Sequence, residues 1–339
     1  MMRSDVVTLA HGTGGKEMQD LIHLLFTNVR TLRKNIVGLE AFDDGAILGE
    51  KHGNIVVSTD SYTVKPIFFP GGDIGKLAAF GSINDVAVMG GTPIASLDSI
   101  VVEEGFPIND LKKIVESMII AFESEGVQVV SGDFKVMPKG QLDGIIITTT
   151  VLGILEGDPI LDSGAKPGDK IIINGTVGDH GAVITAYQYG IDPEKENIIS
   201  DCASILPVMR VARRVGGVHA AKDPTRAGLA MALNEIAEKS GVSIWIDESS
   251  IPIRDNVRAL MEMLGIDPLY MACEGRVVMV VNSQKAEIIL DELRRIGYKD
   301  ARIIGEVRKE RPGYVIMETL AGGYRIVEKL RGELTPRIC

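Results

Sequence analysis

The chain has 339 residues, room for about two domains of roughly 150 residues that each bury a core, which excludes a single small stapled module. Its 36 Lys and Arg against 46 Asp and Glu leave a formal charge of −10, so it repels polyanions and offers no basic footprint for nucleic acid. No apolar run approaches the ~18 residues of a membrane span, and the 38 glycines, about 11% against a usual value near 7%, predict a globular chain with many tight turns.

The first ten residues carry Arg3 and Asp5 but no apolar h-region, which predicts a cytoplasmic protein. His11-Gly12-Thr13-Gly14-Gly15-Lys16 then precedes a helical run at 17–26, and its glycines suit exposure of N–H groups to phosphate. A flexible turn before a helix is the alternative. A Walker A loop would need Gly at Ala10 and Ser or Thr at Glu17; the dinucleotide fingerprint fails because no strand precedes and Glu17 replaces its last Gly.

Through the first half, apolar periodicity predicts strands at 55–59, 94–102, 127–131 and 145–155 and helices at 74–89 and 109–124. That order suits an α+β layer, with a parallel doubly wound sheet as the alternative. Turn formers from Asp162 to Asp169 mark a domain boundary. The second half starts afresh, with strands at 170–174, 218–221, 242–246, 277–281 and 301–307 and helices at 182–189, 204–215, 229–239 and 286–296. The expected organisation is a Gly-rich loop and helix (1–34), an N-terminal domain (35–161), a C-terminal domain (168–330) and an extended tail (331–339). Eight extended residues span at most roughly 26 Å at ~3.3 Å each, so a cleft within that distance could receive the terminal thiol of Cys339.

Five aspartates stand out: Asp43 and Asp44 in Phe-Asp-Asp-Gly-Ala, Asp60 ending an apolar strand, Asp85 in Ile-Asn-Asp-Val-Ala, and Asp133 in Gly-Asp-Phe-Lys. Carboxylates at strand ends can converge on one sheet edge, where a cation such as Mg²⁺ on nucleotide phosphates would neutralise them; solvated turns or helix caps are the other reading. Asp85 lies in an otherwise small, apolar run, so it requires a partner, and Asn84 beside it offers a second polar contact or a cap. Gly178-Asp179-His180-Gly181 and Lys222-Asp223-Pro224-Thr225-Arg226 each precede a predicted helix, as anion sites or as caps. Glu274, among small residues before a buried strand, is placed to have a raised pKa and serve as a general base. His23, His52 and His219 have no motif around them. Cys202, Cys273 and Cys339 form no CxxC pair, which argues against disulfides and zinc; Cys273 reads as core, and Cys339 reads as a swinging arm or a chance terminal residue.

Together with Ser-Thr-Asp-Ser, Asp-Pro-Thr-Arg-Ala-Gly-Leu and the closing Pro336-Arg337-Ile338-Cys339, these motifs resemble the HypE family of hydrogenase maturation proteins over nearly the whole chain. The aspartate set resembles the wider aminoimidazole ribonucleotide synthetase (PurM-like) superfamily and implies ATP use, whereas the Pro-Arg-x-Cys ending singles out the carbamoyl dehydratases. Ala227 replaces a commoner Gly, and Cys273 stands where Asn is expected, which argues against a ligand role at 273.

The resemblance implies an N-terminal α+β domain that forms a homodimer through its sheet, with ATP near the subunit interface, and a C-terminal α/β domain. It implies that the carbamoyltransferase HypF loads a carbamoyl group on Cys339, that ATP-dependent dehydration makes a thiocyanate, and that cyanide passes to iron on HypC–HypD. Carried over to this sequence, Glu274 is the base, Lys135 the cation that orients the carboxamide, and His180 a further group in that pocket. Gly12, Gly14, Gly15, Lys16, Asp44, Thr59 and Asn84 fall to the nucleotide, and Asp43, Asp60, Asp85 and Asp133 to Mg²⁺. Selenophosphate synthetase would want Cys or selenocysteine in the Gly-rich loop, and thiamine-monophosphate kinase has no use for a terminal Cys. A non-catalytic thiol carrier is the rival of another class.

Overall fold

A computed structural model describes residues 15–17, 19–20, 44–50, 53–155 and 157–332. Gly12, Gly14, Asp43 and Cys339 lie outside the described residues, as does most of the helical run expected at 17–26.

The first half runs β1 (Ala46–Glu50), β2 (Gly53–Tyr62), β3 (Phe68–Phe69), β4 (Gly72–Asp73), α1 (Ile74–Val88), β5 (Gly91–Glu103), α2 (Ile108–Ser124), β6 (Gln128–Met137) and β7 (Ile145–Leu155). Five strands form one sheet, β1-β2-β7-β5-β6, antiparallel except for the β5–β6 pair. This pairing decides against the doubly wound alternative. Along β7, buried residues alternate with more exposed ones, as a strand with one covered face requires. The covered face meets α1, which starts where the Asp73 carboxylate accepts the Gly75 and Lys76 N–H groups. Apolar on every side, α1 is buried along almost its whole length. Gly81 lets it sit close to β2, because a Cβ there would lie 2.2 Å from the Tyr62 hydroxyl. On the opposite face the sheet is open, and on both faces its edge strand β6 is exposed, including the side chains of Val129, Val130, Phe134 and Val136.

The second half runs β8 (Lys170–Ile173), α3 (Asp179–Gln188), α4 (Leu206–Val215), β9 (Val218–Lys222), α5 (Gly228–Ser240), β10 (Ser243–Asp247), α6 (Asp255–Leu264), β11 (Val278–Val281), α7 (Ser283–Arg295), β12 (Arg302–Arg308), β13 (Val315–Glu318) and β14 (Tyr324–Ile326). Its sheet has the order β14-β13-β10-β12-β8-β11-β9, with only β10 and β13 parallel. β8 and β11 are apolar without alternation because both faces are covered. Ile171, Ile173, Val278 and Val280 share a core with Leu229, Leu233 and Ile236 of α5. Ile172, Met279 and Val281 face the other way, into a core continuous with α1.

Most expected elements fall within a few residues of the observed ones. Helix α6 and strands β1, β3, β4, β13 and β14 were not expected; β13 is short and buried beside β10, and β14 pairs with β13 while remaining largely exposed. Helix α3 begins at Asp179 rather than 182, since Gly178 at φ 83° makes the turn. Gly181 therefore lies inside the helix, where a Cβ would approach the Met271 Cβ to 2.8 Å. Among the described residues no helix is long and apolar enough to cross a membrane.

Candidate functional site

Period-two alternation turns Ser58, Asp60 and Tyr62 of β2 toward α1. The buried Asp85 of α1 thereby finds the partner its burial demands: the Ser58 hydroxyl donates to its carboxylate at 2.6 Å. Burial, followed by the charges of Asp60, Asp223 and Asp44, pushes the Asp85 pKa well up. Asp60 is raised by burial and Asp44, opposed by the Arg226 guanidinium 3.7 Å away.

The second half supplies the facing groups. At the end of β9 and in the link to α5 come Lys222, Asp223 and Arg226, the segment expected before a helix. Lys222 pairs with Asp44 and with Glu235 at 3.2 Å. Burial works against its ammonium, yet Asp44, Glu235, Asp162 and Asp223 outweigh that and push its pKa well up. Asp223 is raised to about 7 by burial and then by Asp44. Glu274 is buried, and burial, then Asp201 and Asp223, lift its pKa well above 4.5. Carboxylates from both halves thus crowd one junction with two cations among them.

His180 lies in the first turn of α3, buried, with Nδ1 2.8 Å from the Ser200 hydroxyl and its ring edge-on to Phe69 at 5.2 Å. Burial lowers its pKa to about 4, so the imidazole is neutral at pH 7. The expected anion site at this helix start is filled from within, because Asp179 takes the position and pairs with Arg276 at 3.2 Å. Cys273 is core, accepting the Gly178 N–H on sulfur at 3.2 Å.

The other expected site residues are placed as follows within one chain. Thr59, one residue from Asp60, points to the open face, where its hydroxyl meets Thr150 at 2.8 Å. Asp133 and Lys135 also share that open face, paired with each other at 3.1 Å. Three strand spacings, about 14 Å, separate β6 from β2, so within one chain neither reaches Asp60 or Asp85. Asn84 is a clamp between the halves: Nδ2 donates to Ala203 O at 3.1 Å and Glu274 O at 3.4 Å, and Oδ1 accepts the Ile205 N–H at 2.9 Å. The Lys16 ammonium is exposed and lies 3.4 Å from Asp20, while Gly15 is buried. Among the described residues no set of three or more His, Cys, Asp or Glu side chains is arranged to hold a metal ion.

The root of the tail is fastened beside this junction. Lys16 N donates to Leu330 O at 3.1 Å, and Gly332 N to the Glu17 carboxylate at 3.1 Å. Lys329 reaches Gln19 at 3.2 Å, and Gln19 donates to Glu235, the partner of Lys222, at 2.9 Å. Three side chains therefore separate Lys329 from Asp44. The seven residues after Gly332 can extend at most roughly 23 Å. Ser58, Ser200, Asp201, Glu235 and Arg276 escaped the sequence reading; an acidic residue among apolar neighbours, the signal used for Asp85, was present at Asp201 as well.

Residues 42–155 match the N-terminal domain and residues 166–318 the C-terminal domain of the AIR synthase related protein family. A carbamoyl dehydratase HypE of Azotobacter vinelandii is 42% identical over 341 residues, covering 100% of this chain and 98% of its own. A solved HypE–HypF complex contains a chain 40% identical with a TM-score of 0.84, over 93% of this chain and 100% of that one. A HypE solved in complex with ATP is 38% identical with a TM-score of 0.82, over 98% and 100%. Thiamine monophosphate kinase from Aquifex aeolicus, 18% identical with a TM-score of 0.66 over 89% and 97%, shares the fold alone. With its PurM-like halves and full-length likeness to these enzymes, the chain belongs to the HypE family of carbamoyl dehydratases, which act in hydrogenase maturation.

Proposed function

We propose that this chain dehydrates a carboxamide carried on the sulfur of its own Cys339 to a thiocyanate, using ATP, and so supplies the cyanide ligands of the iron in nickel–iron hydrogenase. The observation that carries this reading is the crowding of Asp44, Asp60, Asp85 and Glu274 at one junction, with the tail rooted three side chains from Asp44. The HypE solved with ATP and the HypE–HypF complex support ATP as the co-substrate and a HypF-type carbamoyltransferase as the donor.

When bound, ATP supplies the phosphoryl group that turns the amide oxygen into a leaving phosphate, and Mg²⁺ offsets the triphosphate charge. The donor set suits that ion: Mg²⁺ takes one or two carboxylates with phosphate oxygens and water, and burial with the charges of Asp60, Asp223 and Asp44 holds the Asp85 pKa up, as burial and Asp44 do for Asp60, a penalty that a cation would relieve. Asp43 would join them. Gly12, Gly14, Gly15 and Lys16 close over the phosphates and keep water from the activated tail. Glu274 takes the nitrogen protons, a stronger base than a solvated carboxylate because of its burial and acidic neighbours. Neutral His180 offers the same pocket an Nε2 with no protein partner among the described residues.

Thr59, Asp133 and Lys135 occupy the open sheet face, and a homodimer packed through that face brings them to the nucleotide of the other copy. In this division, residues 35–161 bind ATP and dimerise, 168–330 form the second domain, and 331–339 deliver the thiol. The product cyanide passes to a HypC–HypD complex in the cytoplasm.

The test is the mass of the C-terminal peptide after a HypF-type enzyme has carbamoylated it and MgATP is added. Loss of one water is expected; an unchanged mass would make the chain a passive carrier. Cys339→Ala is expected to bind ATP and form no thiocyanate.

A further inference from the structure

We infer that Asp201 is a positioning residue for the dehydration: its carboxylate fixes the main chain at both Glu274 and His180 and so aims the two side chains into one pocket. The inference rests on the reading of Glu274 as the base.

Asp201 lies in the segment between α3 and α4, its side chain fully buried. A carboxylate there is costly unless every lone pair is used. Oδ1 accepts the N–H groups of His180 and Glu274, each at 3.2 Å, and Oδ2 accepts that of Gly275 at 3.2 Å, with the Arg276 guanidinium 3.6 Å away. The connection is returned when Ala203 N donates to Glu274 O at 3.3 Å. Gly275 permits the approach, because a Cβ there would fall 2.0 Å from Asp201 O. Next door, Ser200 holds the His180 ring through Nδ1 and also accepts the Cys202 N–H at 3.1 Å. Two consecutive residues thus set both the backbone and the ring of His180, and one of them also sets Glu274. Apart from burial, Asp201 is the strongest influence raising the Glu274 pKa, so the same group that aims the base also strengthens it.

The experiment is single-turnover dehydration of the carbamoylated full chain, followed by tail mass over hours, in wild type, Asp201→Asn, Glu274→Gln and the double variant. Asp201→Asn is expected to slow conversion about 10- to 100-fold while the ATP dissociation constant stays within about twofold. Added to Glu274→Gln, it is expected to cost less than about twofold more, since the two act as one unit. Conversion at the wild-type rate by Asp201→Asn, or the same loss in both backgrounds, overturns the inference, because a purely structural role is additive. Should Asp201→Asn not fold, Asp201→Glu keeps the charge beside Arg276 but displaces the carboxylate by one methylene; a wild-type rate in that variant overturns it too. Wild-type turnover by Glu274→Gln would instead remove the base reading, a separate failure that needs no variant at 201.

Discussion

The side-chain amide of Asn84, on α1, donates to the carbonyl oxygen of Glu274 at 3.4 Å, joining the buried helix of the first half to the candidate base of the second. Its other bonds, to Ala203 O and Ile205 N, tie the same helix to the segment that carries Asp201. Asn84→Ala leaves these buried groups unpaired at about 1–3 kcal/mol each. A fall in melting temperature of roughly 2–4 °C per kcal/mol is expected, with dehydration slowed through Glu274. An unchanged melting temperature would show that the halves are held elsewhere.

Asp223 gives a pH dependence with a definite sign. Its pKa is lifted from 3.8 to about 7, so the folded chain holds that proton more tightly than the unfolded chain. This contribution to stability is complete below pH 3.8 and is lost as pH rises through about 7. Asp223→Asn, neutral throughout, is expected to differ least from wild type in melting temperature near about pH 3.5 and to exceed it increasingly toward about pH 8. A difference that does not grow over that range rejects the shift.

Lys222 pairs with Asp44 and Glu235 and lies 4.0 Å from Asp162, which Lys239 also holds at 2.6 Å. Lys222→Met keeps the apolar stem but leaves those carboxylates facing one another without its charge. A loss of about 3–5 kcal/mol, the usual cost of breaking a buried pair from one side, is expected in denaturant unfolding. A loss below about 1 kcal/mol would mean that the pair behaves as a solvated surface one.

Lys135 stands on the open sheet face and Glu274 at the covered junction, so in one chain they do not meet. Lys135→Ala and Glu274→Gln are each expected to slow dehydration by at least about 100-fold alone. When the two are mixed and allowed to exchange subunits, half the dimers carry one intact site, restoring up to about a quarter of wild-type turnover. No restoration would place Lys135 outside the shared site.

Local chemistry determined the elements and part of the site. A run of small and apolar residues at 77–89, interrupted by Ser82, Asn84 and Asp85, is a buried helix whose polar residues must be paired; strict alternation at 145–155 is a strand with one covered face. Glu274 among small residues was legible as a buried acid because burial follows from its neighbours in sequence. Which acids meet was decided by tertiary structure. A strand reverses its side chains at every residue, and the register of β2, β7, β5 and β6, with its shift between Ser96 and Leu97, puts Asp60 on one face and Asp133 on the other. The partners of Asp201 were likewise hidden, since they are backbone N–H groups of residues 180, 274 and 275. Backbone groups are the same at every position, so only the folded path of the chain could select them.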